Sequence, residues 1–294
     1  MKTKKYSYVD LISVIEEVNR CPGGKRTINY IVQNSFLERG SRVLEIGSNT
    51  GFTSIEIAKL KDVEVIGIDV NENAVKKSND ILSREPKFIQ DRVSFQVASA
   101  LELPFPDNSF DLIITGGANS FIDASQREKA LKEYKRVLKP YGMLSITNLY
   151  YDSAPTKKVL DDLYNVLGFE IKPYKKGYWQ NLFLNNSFEL FAYKETKLIS
   201  RSKEIIQDYV DNITKDNITL NEMDQNEANN IKSEFLEAIQ VFNENHKYLS
   251  FMSIILRNNF VEEQQELFLE EGTLDCWNIN DENEEWEVID HNEI

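Results

Sequence analysis

Arg42-Val43-Leu44-Glu45-Ile46-Gly47-Ser48-Asn49-Thr50-Gly51-Phe52 reads as a buried strand, a tight glycine turn and the start of a helix. Val43, Leu44 and Ile46 form the short apolar run of a central strand. Gly47 and Gly51 permit backbone angles and close approaches that a side chain would block. The helix follows at once, with Ile55, Ile57, Ala58 and Leu60 on a mostly apolar face. Such a turn offers backbone N–H groups and the positive end of a helix dipole to a small polar ligand. It also serves many folds for packing alone. Eighteen residues beyond Gly51, Asp69 closes a second apolar run, Val63-Glu64-Val65-Ile66-Gly67-Ile68. An acid there is placed to hold the two hydroxyls of a ribose. The alternative for Asp69 is a cap on the next helix.

Outward from this pair the pattern alternates. The spacing predicts strands near 42–47, 63–69, 93–99, 110–116 and 143–150, with helices near 51–61, 72–83 and 124–138. Two helices precede them, over 8–20 and 26–39, the second stopping at Gly40. The fold class is therefore α/β, a doubly wound, mostly parallel sheet with helices on both faces. Ligands of such sheets sit beyond the carboxyl ends of the strands, where Gly47, Asp69, Ser99 and Gly116 fall. Past residue 150 a helix is expected over 157–167, and a sixth strand at 188–193 or, alternatively, at 167–171. Helices follow near 199–213 and 227–244, joined by a polar linker at 214–225, and Tyr248 to Leu256 has the content of a strand. Residues 262–294 lack periodicity and are acidic, which predicts a tail that is partly disordered or laid on the surface.

Further segments occur in a fixed order after the turn and Asp69. They are Val97-Ala98-Ser99-Ala100-Leu101-Glu102-Leu103-Pro104-Phe105, Asn108-Ser109-Phe110-Asp111-Leu112-Ile113-Ile114 and Arg136-Val137-Leu138-Lys139-Pro140-Tyr141-Gly142-Met143-Leu144. As an ordered set these resemble the class I S-adenosylmethionine-dependent methyltransferases, closely over about residues 40–150. A dinucleotide dehydrogenase fits less well, because its fingerprint spaces the glycines as G-x-G-x-x-G. The resemblance implies a Rossmann-like seven-stranded sheet whose last strand is antiparallel, S-adenosylmethionine as cofactor and no metal. Strand 248–256 would be that last strand. The helices at 199–244 would then be an insertion and, with an N-terminal helical segment at 1–40, would form a lid. The core would run over 41–260 and the acidic tail over 261–294.

By the same resemblance, Glu45, Gly47, Ser48, Asn49 and Gly51 would cradle the methionine portion of the cofactor. Asn49 stands where the family often has a glycine, and asparagine tolerates left-handed backbone angles. Asp69 would take the ribose and Val70 would pack on the adenine. Ser99 replaces the acid the family commonly uses for the adenine amino group, with the backbone N–H groups of Ala100 and Leu101 serving ring nitrogens. Gly116 belongs to the loop facing the transferred methyl. That loop, Thr115-Gly116-Gly117-Ala118-Asn119-Ser120-Phe121, lacks an Asn-Pro-Pro-Tyr sequence, which argues against methylation of adenine N6 or glutamine. Asn119 or Ser120 could orient a substrate, or the segment is an ordinary loop. Cys21-Pro22-Gly23-Gly24-Lys25-Arg26-Thr27 resembles an element that closes over the cofactor in some small-molecule methyltransferases, where Thr27 would bond the cofactor carboxylate. Otherwise it is a helix–helix turn. His246 is a candidate general base or a helix-end histidine, and His291 lies in the acidic tail. Tyr6, Tyr8, Phe121, Tyr178 and Trp179 are candidate pocket aromatics, each equally a candidate for the core.

Composition bounds the function. The net charge of −14 is unevenly placed: residues 204–294 hold 4 basic and 23 acidic side chains, so the remainder is mildly basic. An acidic segment repels phosphate backbones and counts against a nucleic-acid substrate. No run of about 18 apolar residues predicts a membrane span. The lysine-rich start lacks an apolar stretch, so the chain reads as cytoplasmic. Cys21 and Cys276 are too isolated for a disulfide framework or zinc site. The expected partner is a small-molecule methyl acceptor, and a homodimer is compatible with these features. Two alternatives stay open. One is an RNA or protein methyltransferase docking on Lys157, Lys158, Lys172, Lys175 and Lys176. The other is a non-catalytic cofactor-binding scaffold whose tail recruits a basic partner. Use of the sulfonium for chemistry other than methylation is also open.

Overall fold

The computed structural model describes residues 6–16, 21–186, 188–259 and 285–288. Among the described residues, seven strands form one sheet in the order β3-β2-β1-β4-β5-β7-β6. They are β1 Arg42–Ile46, β2 Glu64–Asp69, β3 Val93–Val97, β4 Phe110–Thr115, β5 Leu138–Tyr151, β6 Phe188–Lys197 and β7 Leu249–Asn258. Only β7 runs against the others: it pairs antiparallel with both β5 and β6. The strand order reverses at β1, between β2 and β4, which opens a crevice beyond the carboxyl end of β1.

Both faces are covered, which is why the central strands read as continuous apolar runs. Leu44, Ile46, Ile113, Leu144 and Ile146 face Leu131 and Tyr134 of α6 (Arg127–Val137) and Trp179 and Phe183 of α8 (Lys176–Leu184). Val43, Val65, Leu112 and Ile114 face Ile28 and Ile31 of α2 (Lys25–Asn34), Ile55 and Ile57 of α3 (Phe52–Leu60) and Leu82 of α4 (Glu72–Ser83). Each such aliphatic side chain is almost fully buried, worth about 1.5–3 kcal/mol of transfer free energy apiece. The chain's first helix, α1 (Tyr8–Ile15), joins α9 (Lys203–Lys215), α10 (Ile218–Glu222) and α11 (Gln225–Asn245) around a separate apolar cluster of Leu11, Ile15, Val210, Leu220, Ile231 and Phe235. Asn217 ties the insertion to α1, its amide donating to the carbonyls of Val14 and Ile15 at 3.1 and 3.0 Å.

The strands at 42–46, 64–69, 93–97 and 110–115 and the helices at 52–60, 72–83 and 157–167 lie where the pattern predicts. Several expectations need correction. Helix α2 ends at Asn34, short of the expected stop at Gly40, because Phe36 takes a left-handed φ of 49°. The sixth strand is 188–197, not 167–171, and Tyr178 to Phe183 sits inside α8, where Trp179 and Phe183 stack one turn apart. The linker at 214–225 contains α10, capped by the Asn217 side chain accepting from Leu220 N. A short helix, α5 (Lys87–Gln90), precedes β3. The first helix ends at Ile15, short of the expected residue 20, because Glu16 takes a left-handed φ of 57°; residues 17–20 and most of the tail fall outside the described residues.

A candidate cofactor and acceptor site at the carboxyl edge

The glycine turn is built by three backbone constraints. Gly47, Asn49 and Gly51 have φ of 73°, 46° and 84°, so the asparagine does adopt the left-handed conformation. The N–H groups of Gly47 and Ser48 both donate to Ile68 O, at 2.8 and 2.9 Å, binding the turn to the end of β2. A Cβ on Gly47 would stand 2.7 Å from the Ala118 Cβ, so this glycine lets the turn meet the loop after β4. A Cβ on Gly51 would overlap the Phe95 ring. Asp69 completes the arrangement. Its Oδ2 accepts from Asn49 N and its Oδ1 from Asn71 N, both at 2.9 Å. It does not cap α4: Asn71 does, accepting from Asn73 N and Ala74 N. A carboxylate accepting one bond per oxygen retains lone pairs for two further donors.

Glu45 is engaged by the helix that follows the turn. It is 6% exposed, and its Oε2 accepts from Ser54 N at 2.9 Å and Ser54 Oγ at 2.5 Å in the first turn of α3. Its direct contacts are thus to the helix start. Burial pushes its pKa up to about 7; the bonds from Ser54 and Thr53 oppose that shift and the Asp69 charge adds to it. The folded state therefore holds this proton more tightly than the unfolded chain does. The associated stability is complete below pH 4.5 and is lost as pH rises to about 7, at about 1.4 kcal/mol per unit. Glu45→Gln keeps an acceptor for Ser54 and has no proton to lose. We expect its melting temperature to vary less with pH across this window than that of the native chain; parallel profiles would contradict this.

The turn Cys21–Gly24 stands beside Glu45, whose charge, after burial, helps push the Cys21 thiol up to about 12. The thiol stays protonated. Thr27 is buried and its hydroxyl donates to Pro22 O at 2.6 Å, so its proton closes this turn and is not available to a cofactor carboxylate. Its oxygen lone pairs remain.

At the ends of β2 and β3, Val70 is 71% exposed and Val97 52%, an apolar rim beside Asp69. Ser99 Oγ accepts from Leu101 N at 3.2 Å. That bond corrects one expectation: the Leu101 N–H is directed at Ser99 rather than at a ligand.

Beyond β4, a Cβ on Gly116 or Gly117 would meet nothing within 4 Å, so the loop opens onto free space there. Asn119 has a different role from the one its position suggests. It is 3% exposed, its amide donates to Thr115 Oγ1 at 2.8 Å and its Oδ1 accepts from Tyr134 O–H at 3.3 Å. Both ends of the side chain are engaged inward, so it shapes the loop and cannot touch an acceptor. Ser120 and Phe121 lie in the same 3₁₀ turn, and Phe121 is 67% exposed against Phe169. Sequence reasoning missed Arg127. It is almost fully buried, its Nε donates to Asn119 O and Ile122 O at 3.0 Å each, and it donates to Tyr178 Oη at 2.6 Å. The guanidinium sits 4.6–5.5 Å from the ring centres of Tyr174, Tyr178 and Trp179. Nothing local in the sequence marks it, since its partners are carbonyls of the loop and rings about fifty residues away. Tyr6 and Tyr8 contact α11: Tyr6 N and Oη donate to Glu234 and Glu227, and the Tyr8 ring packs on Phe242. His246 begins the turn into β7, whose first residue pairs with Tyr151 at the carboxyl end of β5.

A family model described as a methyltransferase domain matches residues 43–142, the span that holds the turn, Asp69 and the loop after β4. Residues 43–142 are a class I S-adenosylmethionine-dependent methyltransferase domain. It is 32% identical over 146 residues to a ubiquinone/menaquinone biosynthesis C-methyltransferase of Azotobacter vinelandii, covering 49% of this chain and 55% of that protein. The crystal structure of MccD protein superposes with a TM-score of 0.68 at 27% identity over 81% of this chain and 99% of the other. A Haemonchus contortus phosphoethanolamine N-methyltransferase 2, solved with S-adenosyl-L-methionine, gives a TM-score of 0.64 at 20% identity, over 88% of this chain and 59% of that one, a likeness of fold. The chain spans between 42% and 66% of the length of the first curated relatives it matches.

The residues present fit a sulfonium nucleoside cofactor. The glycine turn excludes side chains from the crevice, Asp69 has acceptor capacity to spare for a diol, and the Val70–Val97 rim offers an apolar face for a purine. None of the described helices is long and apolar enough to cross a membrane.

Proposed function

We propose that this chain transfers the methyl group of S-adenosylmethionine to an oxygen, nitrogen or carbon of a small molecule. The observation that carries the reading is Asp69: it joins the glycine turn to the end of β2 and keeps lone pairs for two further donors, beside the exposed Val70. When bound, the cofactor supplies a methyl already activated by the positive sulfur. The protein's own work is then alignment and exclusion of water. Asp69 binds and orients the ribose, and the turn of Gly47 to Gly51 cradles the methionine portion. Gly116 and Gly117 leave room where the acceptor would approach, and Arg127 and Asn119 hold that loop from behind. His246, at the same edge, is the candidate proton acceptor. The proposed organisation is a core at 41–260 covered by a lid made of 1–40 and the 199–244 insertion, with a tail at 261–294. The cluster shared by α1 and α9–α11 supports that lid.

Relatives named as a 27-O-demethylrifamycin SV methyltransferase and a ubiquinone/menaquinone biosynthesis C-methyltransferase support a small acceptor for this chain. The test uses S-adenosylmethionine labelled in its methyl group, incubated with the full chain and with separated metabolite, RNA and protein fractions of a cell extract. Label in the metabolite fraction is expected. Label confined to RNA or protein would overturn the small-molecule reading.

A further inference from the structure

The long strand β5 carries an element that the site has not used. Its pairing with β4 ends at Thr115↔Ile146, and it continues five residues further to Tyr151, about 16 Å beyond the end of β4 at 3.3 Å per residue. Along this extension one edge belongs to β7, and Asp152 N donates to Tyr248 O there at 2.9 Å. Backbone groups of an extended chain alternate in direction, so Tyr151 presents its N–H and C=O to the opposite edge, the side that β4 occupies lower down. Both groups are taken. Tyr151 N donates to Tyr174 O at 2.9 Å, and Tyr151 O accepts from Trp286 Nε1 at 3.0 Å. One position further out, Trp286 N donates to Pro173 O at 3.1 Å and Glu285 forms an antiparallel bridge with Tyr174. Lys172 pairs with Glu285 at 3.3 Å, and the Lys175 ammonium lies 4.6 Å from the centre of the Trp286 ring.

In lateral order, Pro173–Lys175 stands in the column of β4 and Glu285–Trp286 in the column of β1. Those columns end in the loop after β4 and in the glycine turn. The seat is coupled to the site below it: Tyr174 stacks on Tyr178 at 3.9 Å, and Tyr178 holds the Arg127 that holds the loop. The segment is held at the surface: Glu285, Glu287 and Val288 are exposed and Trp286 is half-buried, and its bonds include the two to backbone carbonyls, the bridge and the exposed ion pair. Such segments open locally at far less cost than the core. Of the five lysines that would form a docking strip, Lys172 and Lys175 are engaged by this acidic segment of the chain itself.

We propose that Glu285–Val288 is a strap across the mouth of the cofactor and acceptor crevice, seated on Lys172–Lys175, which must lift for ligands to pass. The inference rests on the placement of the cofactor given above. The test measures association and dissociation rate constants of S-adenosylhomocysteine on the full-length chain, the full-length Trp286→Ala variant and Glu285→Lys, which sets like charge against Lys172. The exposed Glu285→Lys position keeps the test valid should Trp286→Ala fold poorly. A gate slows both directions, so both constants should rise about ten-fold with an affinity change under about three-fold. Raised salt should accelerate the native chain in the same sense and Glu285→Lys less. Rates within about two-fold of native in folded variants, or a rise in dissociation alone, would overturn the strap. A native chain that binds no S-adenosylhomocysteine would overturn the cofactor placement, and the strap's role with it.

Discussion

Asp69→Ala should weaken S-adenosylhomocysteine binding by about 1–3 kcal/mol, roughly five- to a hundred-and-fifty-fold, the scale of hydrogen bonds to a charged group. Two losses add. The ribose loses its acceptors, and Asn49 N loses the partner that fixes the left-handed residue of the turn. Asp69→Asn retains one carbonyl acceptor and should fall between the two. Calorimetric titration measures the affinity, and a thermal melt of each variant separates weakened binding from a weakened fold. Unchanged affinity in a folded Asp69→Ala chain would contradict the placement of the ribose.

Gly51→Ala should cost about 2–5 kcal/mol of folding free energy, from a left-handed residue at about 1–2 and overpacking at about 1–3. The residue has a φ of 84° and its Cβ would overlap the Phe95 ring at the base of the crevice. Gly168→Ala provides the control. Its φ is 80°, but a Cβ there meets nothing within 4 Å, so only the backbone strain should register. Denaturant unfolding of the two variants gives the difference, which isolates the packing contribution. Equal losses would mean that Phe95 moves aside freely and that the turn is not held against β3.

The half of the chain around β1 is legible because close-packed parallel strands leave a strong signature. Val43, Leu44 and Ile46 must be apolar on both faces, and the residues after them must tolerate positive φ. Glycine at 47 and 51 and asparagine at 49 announce that requirement directly. The later half is less legible for equally physical reasons. Tyr178 to Phe183 has the aromatic content of a strand, yet folds as α8 because Trp179 and Phe183, one turn apart, both reach the core below. Asn119 is polar, sits in the right loop and could face either way. Thr115 and Tyr134 supply partners on the inner side, and burial with both ends bonded outweighs exposure to the crevice. Arg127 and Trp286 were invisible because their partners are brought together by the sheet and not by spacing along the chain.

The central claim is that the carboxyl edge of β1, β2 and β4 binds a sulfonium nucleoside. Titrating the purified chain by calorimetry with S-adenosylmethionine, S-adenosylhomocysteine and NAD tests it most directly. The account predicts micromolar binding of both sulfur nucleosides, on the order of −8 kcal/mol, and none of NAD. Folded protein that binds neither sulfur nucleoside, or that prefers NAD, would contradict it.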